Sequence, residues 1–387
     1  MSSGTSLIGQ ESAFRLRRVV SNVHALRSRK EPVKTLYRSF EFNSNLPTLR
    51  GQHTVRTSSW FSRIALSLML IATGLMASLS AQAVKPFGET LPSVISAGAD
   101  HDIKQWNGVG KLVSTIGSHD DAVNALLLVD SNSLLSVGAD GACKTWSISD
   151  ARLVRSFDAV KGAALSIALT PDGKTLAIGT AGGKIGLFYK ETGKKLGEAD
   201  AHNDGVRGLQ FSSDGATLFS ASADRQMRFW RFTLNGAKAA LDYQSNVSAH
   251  DDAVNALVVS PDHQTIATIS SDGFLKTWQR NGGGLINRVK VCEHGAQAVA
   301  FSPDGRTLAT GDEDGRVRLW NAGNGAPIST LGSHDRAVTC IAWSPNGKFV
   351  VSGGADKTLR YWSLDEGKQA ARITAHDGVV KAVVVLP

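Results

Sequence analysis

Val350-Val351-Ser352-Gly353-Gly354-Ala355-Asp356-Lys357-Thr358-Leu359-Arg360-Tyr361-Trp362 holds the pattern on which the reading of this chain turns. Two apolar residues are followed by a hydroxyl, small residues, an Asp, and a short strand that closes on Trp. The same unit recurs as Val94–Trp106, Leu134–Trp146, Leu176–Phe188, Leu218–Trp230, Ile266–Trp278 and Leu308–Trp320. Successive ends lie 40, 42, 42, 48, 42 and 42 residues apart. A fixed period in the low forties with a terminal Trp marks an array of four-stranded blades, not a pair of unrelated domains.

Working outward from that unit, each period supplies three more strands. After a His comes an alternating segment such as Ala253-Val254-Asn255-Ala256-Leu257-Val258-Val259, suited to a half-buried inner strand. Turns follow at Thr170-Pro171-Asp172-Gly173, Ser302-Pro303-Asp304-Gly305 and Ser344-Pro345-Asn346-Gly347. Pro sets the first turn dihedral and Gly accepts a positive φ, so these join antiparallel strands. An outer strand such as Leu153-Val154-Arg155-Ser156-Phe157 completes the period. The first copy has no inner strand before it, and the chain ends on His376-Asp377-Gly378-Val379-Val380-Lys381-Ala382-Val383-Val384-Val385, an inner strand with no blade after it. The two fragments complete each other, so the last strand is expected in the first blade, leaving no open edge.

Over residues 90–387 the chain resembles the WD-repeat β-propeller family. The resemblance implies an all-β fold of seven four-stranded antiparallel blades. It also implies a buried tetrad in each blade: His before the inner strand, Ser or Thr in the second strand, Asp in the next turn, and Trp in the third. Here these would be His376, Ser96, Asp100, Trp106; His119, Ser136, Asp140, Trp146; and His202, Ser220, Asp224, Trp230. The later sets would be His250, Thr268, Asp272, Trp278; His294, Thr310, Asp314, Trp320; and His334, Ser352, Asp356, Trp362. Trp can only donate and a carboxylate can only accept, so a chain from Trp through hydroxyl and imidazole to Asp satisfies every member. The remaining copy departs at all four positions, with Val160, Ile178, Gly182 and Phe188. Joint loss is the expected pattern, because a half-satisfied buried network is worse than an apolar one. The residue after each terminal aromatic is never Asp, which separates the chain from adaptors that rely on a Trp-Asp pair.

The chain of 387 residues has a net charge of +8, all of it in residues 1–83; the remainder carries 31 basic and 31 acidic residues. A neutral body offers no electrostatic ground for nucleic-acid binding. Ile64 to Leu79 is an uncharged, mostly apolar run, with Arg56 and Arg63 before it and Ala81-Gln82-Ala83 after it. That is the form of a secretory signal peptide, giving a leader over 56–83, a linker over 84–90 and the propeller over 91–387. Residues 1–55 read as a start assigned too early, or as a leader extension without folded structure. The expected location is the bacterial periplasm, with a signal-anchored membrane protein or an organelle lumen as alternatives. An uncleaved leader would be the sole membrane attachment. Cys143, Cys292 and Cys340 all fall in expected strands, without the spacing of a metal or haem site, and read as buried apolar residues.

Ser, His and Asp are also the residues of a hydrolytic triad, but a set repeated six times is structural, and no Gly-x-Ser-x-Gly elbow presents a nucleophile. Gly173-Lys174-Thr175 lacks the leading Gly and the helix of a phosphate loop. Neither a catalytic residue, a cofactor nor a metal site is expected. What remains is surface. The residues that follow each tetrad His are Asp120, Asn203, Asp251, Gly295, Asp335 and Asp377, with Lys161 in the divergent blade. Except for Gly295, these form the candidate partner-binding face, although Asp residues there also cap tight loops. Trp230 to His250 spans 20 residues, longer than in other blades, so Thr233–Tyr243 is expected to project from the opposite face. The expected role is a monomeric, non-catalytic scaffold presenting loop faces to other proteins. The alternative is a propeller that binds a small ligand or divalent metal at its central channel.

Overall fold

The structure is a computed structural model that describes residues 90–387. The expected leader over 56–83, the segment before it and the linker up to residue 89 lie outside the described residues. Seven four-stranded antiparallel sheets make up the fold, and no helix occurs among the described residues. Blades 2 to 7 are contiguous in sequence, over residues 123–158, 164–200, 206–248, 254–290, 296–333 and 338–374. Blade 1 is composite: Val94–Gly98, Asp102–Trp106 and Leu112–Ser118 are joined by the C-terminal strand Val380–Val385.

The ends meet as inner and second strands, with Val94 opposite Val385 and Ser96 opposite Val383. Ala99 N–H donates to Val379 at 2.8 Å and Leu386 N–H to Ser93 at 2.9 Å, extending the join at both ends. Closure leaves no unpaired strand at the seam, the reason a ring of blades needs no cap.

Between the inner and second strands, the Pro-containing turns are tied by their own side chains. Thr170 Oγ1 donates to Asp172 at 2.6 Å while Lys174 N–H donates to the same carboxylate at 3.0 Å, and Gly173 takes φ +71°. Alternation then buries the second and third strands almost completely and leaves the outer strands exposed. Each apolar cluster is shared by adjacent blades. One joins Phe219 and Phe229 of blade 4 to Val254, Ile266 and Trp278 of blade 5, so blade-to-blade packing is the core of the molecule.

One irregularity recurs in every blade. The register against the second strand slips at the second residue of the inner strand, as between Val123 and Ala125 or Val206 and Gly208. A bulge re-aims a side chain. Here it brings Asn124, Leu165, Arg207, Asn255, Gln297, Thr339 and Lys381 to the wall of the central channel.

The long connection of blade 4 forms no separate loop. Its third and outer strands, Gln226–Asn235 and Lys238–Ser248, stay paired to their tip at Asn235 and Lys238. Phe232, Ala239 and Leu241 pack with Tyr189 and Leu196 of blade 3. The close approach requires Gly197, where a Cβ would lie 2.1 Å from the Ala239 carbonyl oxygen.

Candidate functional site

In blade 2, the Trp146 indole N–H donates to Ser136 Oγ at 2.7 Å. Ser136 Oγ lies 2.6 Å from His119 Nε2, and His119 Nδ1 lies 2.9 Å from Asp140. The directions follow from chemistry: indole only donates and carboxylate only accepts, so the hydroxyl donates to Nε2 and Nδ1–H donates to Asp in a neutral imidazole. The same chain joins Trp230, Ser220, His202 and Asp224; Trp278, Thr268, His250 and Asp272; and Trp362, Ser352, His334 and Asp356. In blade 1 it crosses the seam, with Trp106 and Ser96 from one end of the chain bonded through His376 to Asp100 at 2.7 Å.

Asp140, Asp224, Asp272 and Asp356 each also tie two backbone segments, and Asp100 accepts the Asp377 N–H. Asp140 accepts the N–H groups of Asp120 at 3.1 Å and Ala142 at 3.0 Å, and Asp272 those of Asp251 and Phe274 at 3.0 Å. Burial pushes these carboxyls up, but the N–H donors and the histidine outweigh it and hold Asp140, Asp224 and Asp272 below the usual range. Burial pushes the imidazoles of His119, His202, His250, His334 and His376 below their ordinary value, against the opposing pull of Asp. The hydroxyls of Ser96, Ser136, Ser220, Thr268 and Ser352 belong to residues with no exposed surface, so none is presented to a substrate.

The reading of blade 6 is corrected. His294 does not reach Thr310; its side chain is 71% exposed and its Nδ1 meets Asp314 at 2.8 Å on the surface. The position that His occupies elsewhere, four residues before the inner strand, holds Cys292 here. Its N–H bonds Gly273 O, just as His250 N–H bonds Arg225 O. Cys292 thus lies after its outer strand, Leu285–Lys290, not within it, and burial pushes its thiol up to about 11. Trp320 still donates to Thr310 at 2.8 Å. The buried acid has moved to Asp312, which pairs with Arg318 and accepts Arg316 N–H at 2.8 Å. The nearest histidine in sequence misled because the spacing has to be counted from the strand.

Blade 3 replaces the network with apolar contact. Phe188 packs against Phe157 with ring centroids 5.6 Å apart, and Val160 and Ile178 join the same cluster. Thr180 Oγ1 takes the Lys184 N–H that the missing Asp would have held.

A fifth recurring member escaped the reading of the sequence: a cation two residues before each Trp. Lys144, Arg228, Lys276 and Arg360 donate to the carbonyl just before the tetrad His, at 3.1, 2.5, 2.7 and 2.5 Å. Lys104 and Arg360 also reach the tetrad Asp, at 3.2 and 3.1 Å. The signal was visible as Lys or Arg, any residue, then Trp, six times; Gly186 stands there in blade 3, and its missing side chain leaves room for the Phe188 ring.

On the face above, Asp120, Lys161, Asn203, Asp251, Asp335 and Asp377 are all exposed. Glu293, following Cys292, takes the seventh place, and Gly295 lies two residues further on. The backbone N–H groups of the five that follow a tetrad His point inward to the tetrad Asp, which leaves their side chains outside. Asp335 is not free: Arg360 and Arg372 hold it at 2.9 and 2.7 Å. Asp121, Asp204 and Asp252 each accept the next residue's N–H at 2.6–2.7 Å and cap their loops. Among the described residues, no three His, Cys, Asp or Glu side chains converge as a metal set would.

This geometry is matched by comparison with known proteins. Residues 110–147, 193–231, 242–279, 287–321 and 325–363 match the WD domain, G-beta repeat family, so the chain carries five repeats of that family. Each match runs from an outer strand into the next blade, so the seam blade and the divergent blade 3 contribute only their outer strands. U3 small nucleolar RNA-associated protein 12 of Saccharomyces cerevisiae is 26% identical over 206 residues, 53% of this chain and 20% of that protein. Periodic tryptophan protein 2 of the same yeast is 31% identical over 153 residues, 38% of this chain and 16% of its own. WD repeat-containing protein 1 of Mus musculus is 33% identical over 84 residues, 21% of this chain and 14% of its own. The chain therefore spans a fifth or less of the length of these relatives. Among solved structures, the computationally designed Ika8 protein is similar, with a TM-score of 0.59 and 27% identity over 77% of this chain and 91% of that one.

Proposed function

We propose that the protein is a non-catalytic scaffold that binds other proteins through the face carrying Asp120, Lys161, Asn203, Asp251, Glu293 and Asp377. The observation that carries this is the division of labour within the five blades that hold a complete tetrad. The Ser, His and Asp groups that resemble catalytic machinery are buried and mutually satisfied, while the residue beside each is exposed on one shared face. Loops from seven blades on a rigid frame make a broad surface whose composition varies without altering the fold. The WD-repeat relatives support the same reading. The protein is proposed to act as a monomer.

Export to the periplasm is part of the proposal and rests on the apolar run Ile64 to Leu79 and the Ala81-Gln82-Ala83 site. Affinity capture with the full chain and with a triple charge reversal at Asp120, Asp251 and Asp377 tests the binding face. Partners lost from the variant support it, and unchanged partners refute it. Asp335 is left out, because Arg360 and Arg372 hold it at 2.9 and 2.7 Å, whereas Asp251 meets Arg288 only at 3.9 Å.

A further inference from the structure

The central channel is a cavity of about 600 Å³, and no Asp or Glu lines it. The bulge residues at its mouth differ in how their donors are used. Asn124 and Asn255 donate across the blade seam to the carbonyls of Ala164 and Ala296 at 2.8 Å, and Thr339 does so to Val380. Gln297 donates to Glu313 at 2.7 Å. Two cations remain. The Arg207 guanidinium gives one N–H to Asn255 and has four others, and the exposed Lys381 side chain has neither an ion pair nor a hydrogen bond among the described residues.

Lys381 belongs to blade 1 and Arg207 to blade 4, which sets them on opposite walls of a seven-membered ring. The lining also includes Leu209, Leu257, Val299 and Val383, each less than a tenth exposed and packed into the apolar clusters between blades. Carboxylates of the adjoining loops are already engaged: Asp121, Asp204 and Asp252 are held by their own loops and Glu313 by Gln297. A concave site with two cations and no acidic residue in its lining focuses positive potential. The bond-forming groups match an oxyanion: guanidinium and ammonium both donate and neither accepts.

We propose that this mouth binds a small, multiply charged oxyanion of the phosphate type, bridged between Arg207 and Lys381. The charge is opposite in sign to the divalent metal named as an alternative for the channel, and the site is independent of protein binding at the outer loops. Two cations on facing walls select against a single compact charge and favour an anion long enough to reach both.

The test is calorimetric titration of the full chain with tripolyphosphate at low salt. Saturable binding is expected, weakened about tenfold or more by Lys381→Met, retained by Lys381→Arg, and lowered as salt rises. Arg207→Met is expected to weaken it similarly. That variant also loses the contact to Asn255, so Lys381→Met, which breaks no contact in the fold, carries the test if the arginine variant fails to fold. Lys174→Met, which removes an exposed cation of the opposite-face turn, should leave binding unchanged. Absence of binding by the parent chain, or equal loss in Lys174→Met, would overturn the proposal. Sedimentation with vesicles containing phosphatidylinositol phosphates that Lys381→Met abolishes would overturn the assignment to a free anion.

Discussion

Ser136 serves two partners at once, accepting from Trp146 at 2.7 Å and donating to His119 at 2.6 Å. Ser136→Ala strands both partners in the interior, each costing about 1–3 kcal/mol, so a loss of about 3 kcal/mol is expected in urea unfolding. Ser166, whose hydroxyl meets only Val206 O at 2.8 Å, should cost about 1 kcal/mol when changed to Ala. Equal losses would mean that the tetrad is no more than a set of independent contacts. Tyr361 offers the opposite case: its hydroxyl is buried without a partner among the described residues, and Tyr361→Phe should raise stability by about 1 kcal/mol. At this scale the sequence was legible where residue type and spacing agree, as at His250 and Trp278. It failed at His294, because the backbone position is set by the distance to Ala296, and a thiol occupies it. The channel residues were not legible at all, since nothing in their identity marks a bulge.

The hairpin of blade 4 was visible as a 20-residue spacing, but not its destination. Its docking depends on Gly197, one glycine among 39, and on Ala239, neither of which stands out before the strands are placed. Blade 3 lacks the polar network, and the hairpin lies across its outer strand, Lys195–Asp200, in compensation. Gly197→Ala forces the two apart and should destabilise the protein by about 1–3 kcal/mol, the cost of an overpacked contact. Hydrogen exchange should quicken first in residues 164–200. Exchange that quickens evenly round the ring would contradict a local strut.

Across the whole molecule, the five histidines and their aspartates make stability depend on acidity. Their folded imidazoles are held below the ordinary 6.5, so as pH falls the unfolded chain takes up protons first. Stability is therefore full above about pH 6.5 and is lost as pH falls through the folded values. The tetrad carboxyls, held below 3.8, add a second loss under that pH. A thermal midpoint that stays level from pH 7.5 to 5 would contradict the neutral-imidazole assignment. Closure is also a property of the whole: deleting residues 376–387 removes the inner strand and the histidine of blade 1, and should abolish cooperative unfolding. The seven-fold repeat and the joining of the ends were legible because both rest on spacing alone. The sign of the channel was not, because it depends on which side chains the bulges turn inward.

The face proposed to receive partner proteins is the one above the tetrads. Hydrogen exchange of the protein with and without a captured partner tests it most directly. Protection is predicted in residues 119–122, 202–205, 250–253 and 376–379. Protection confined to the opposite-face turns, at residues 171–174, 302–305 and 344–347, would contradict it.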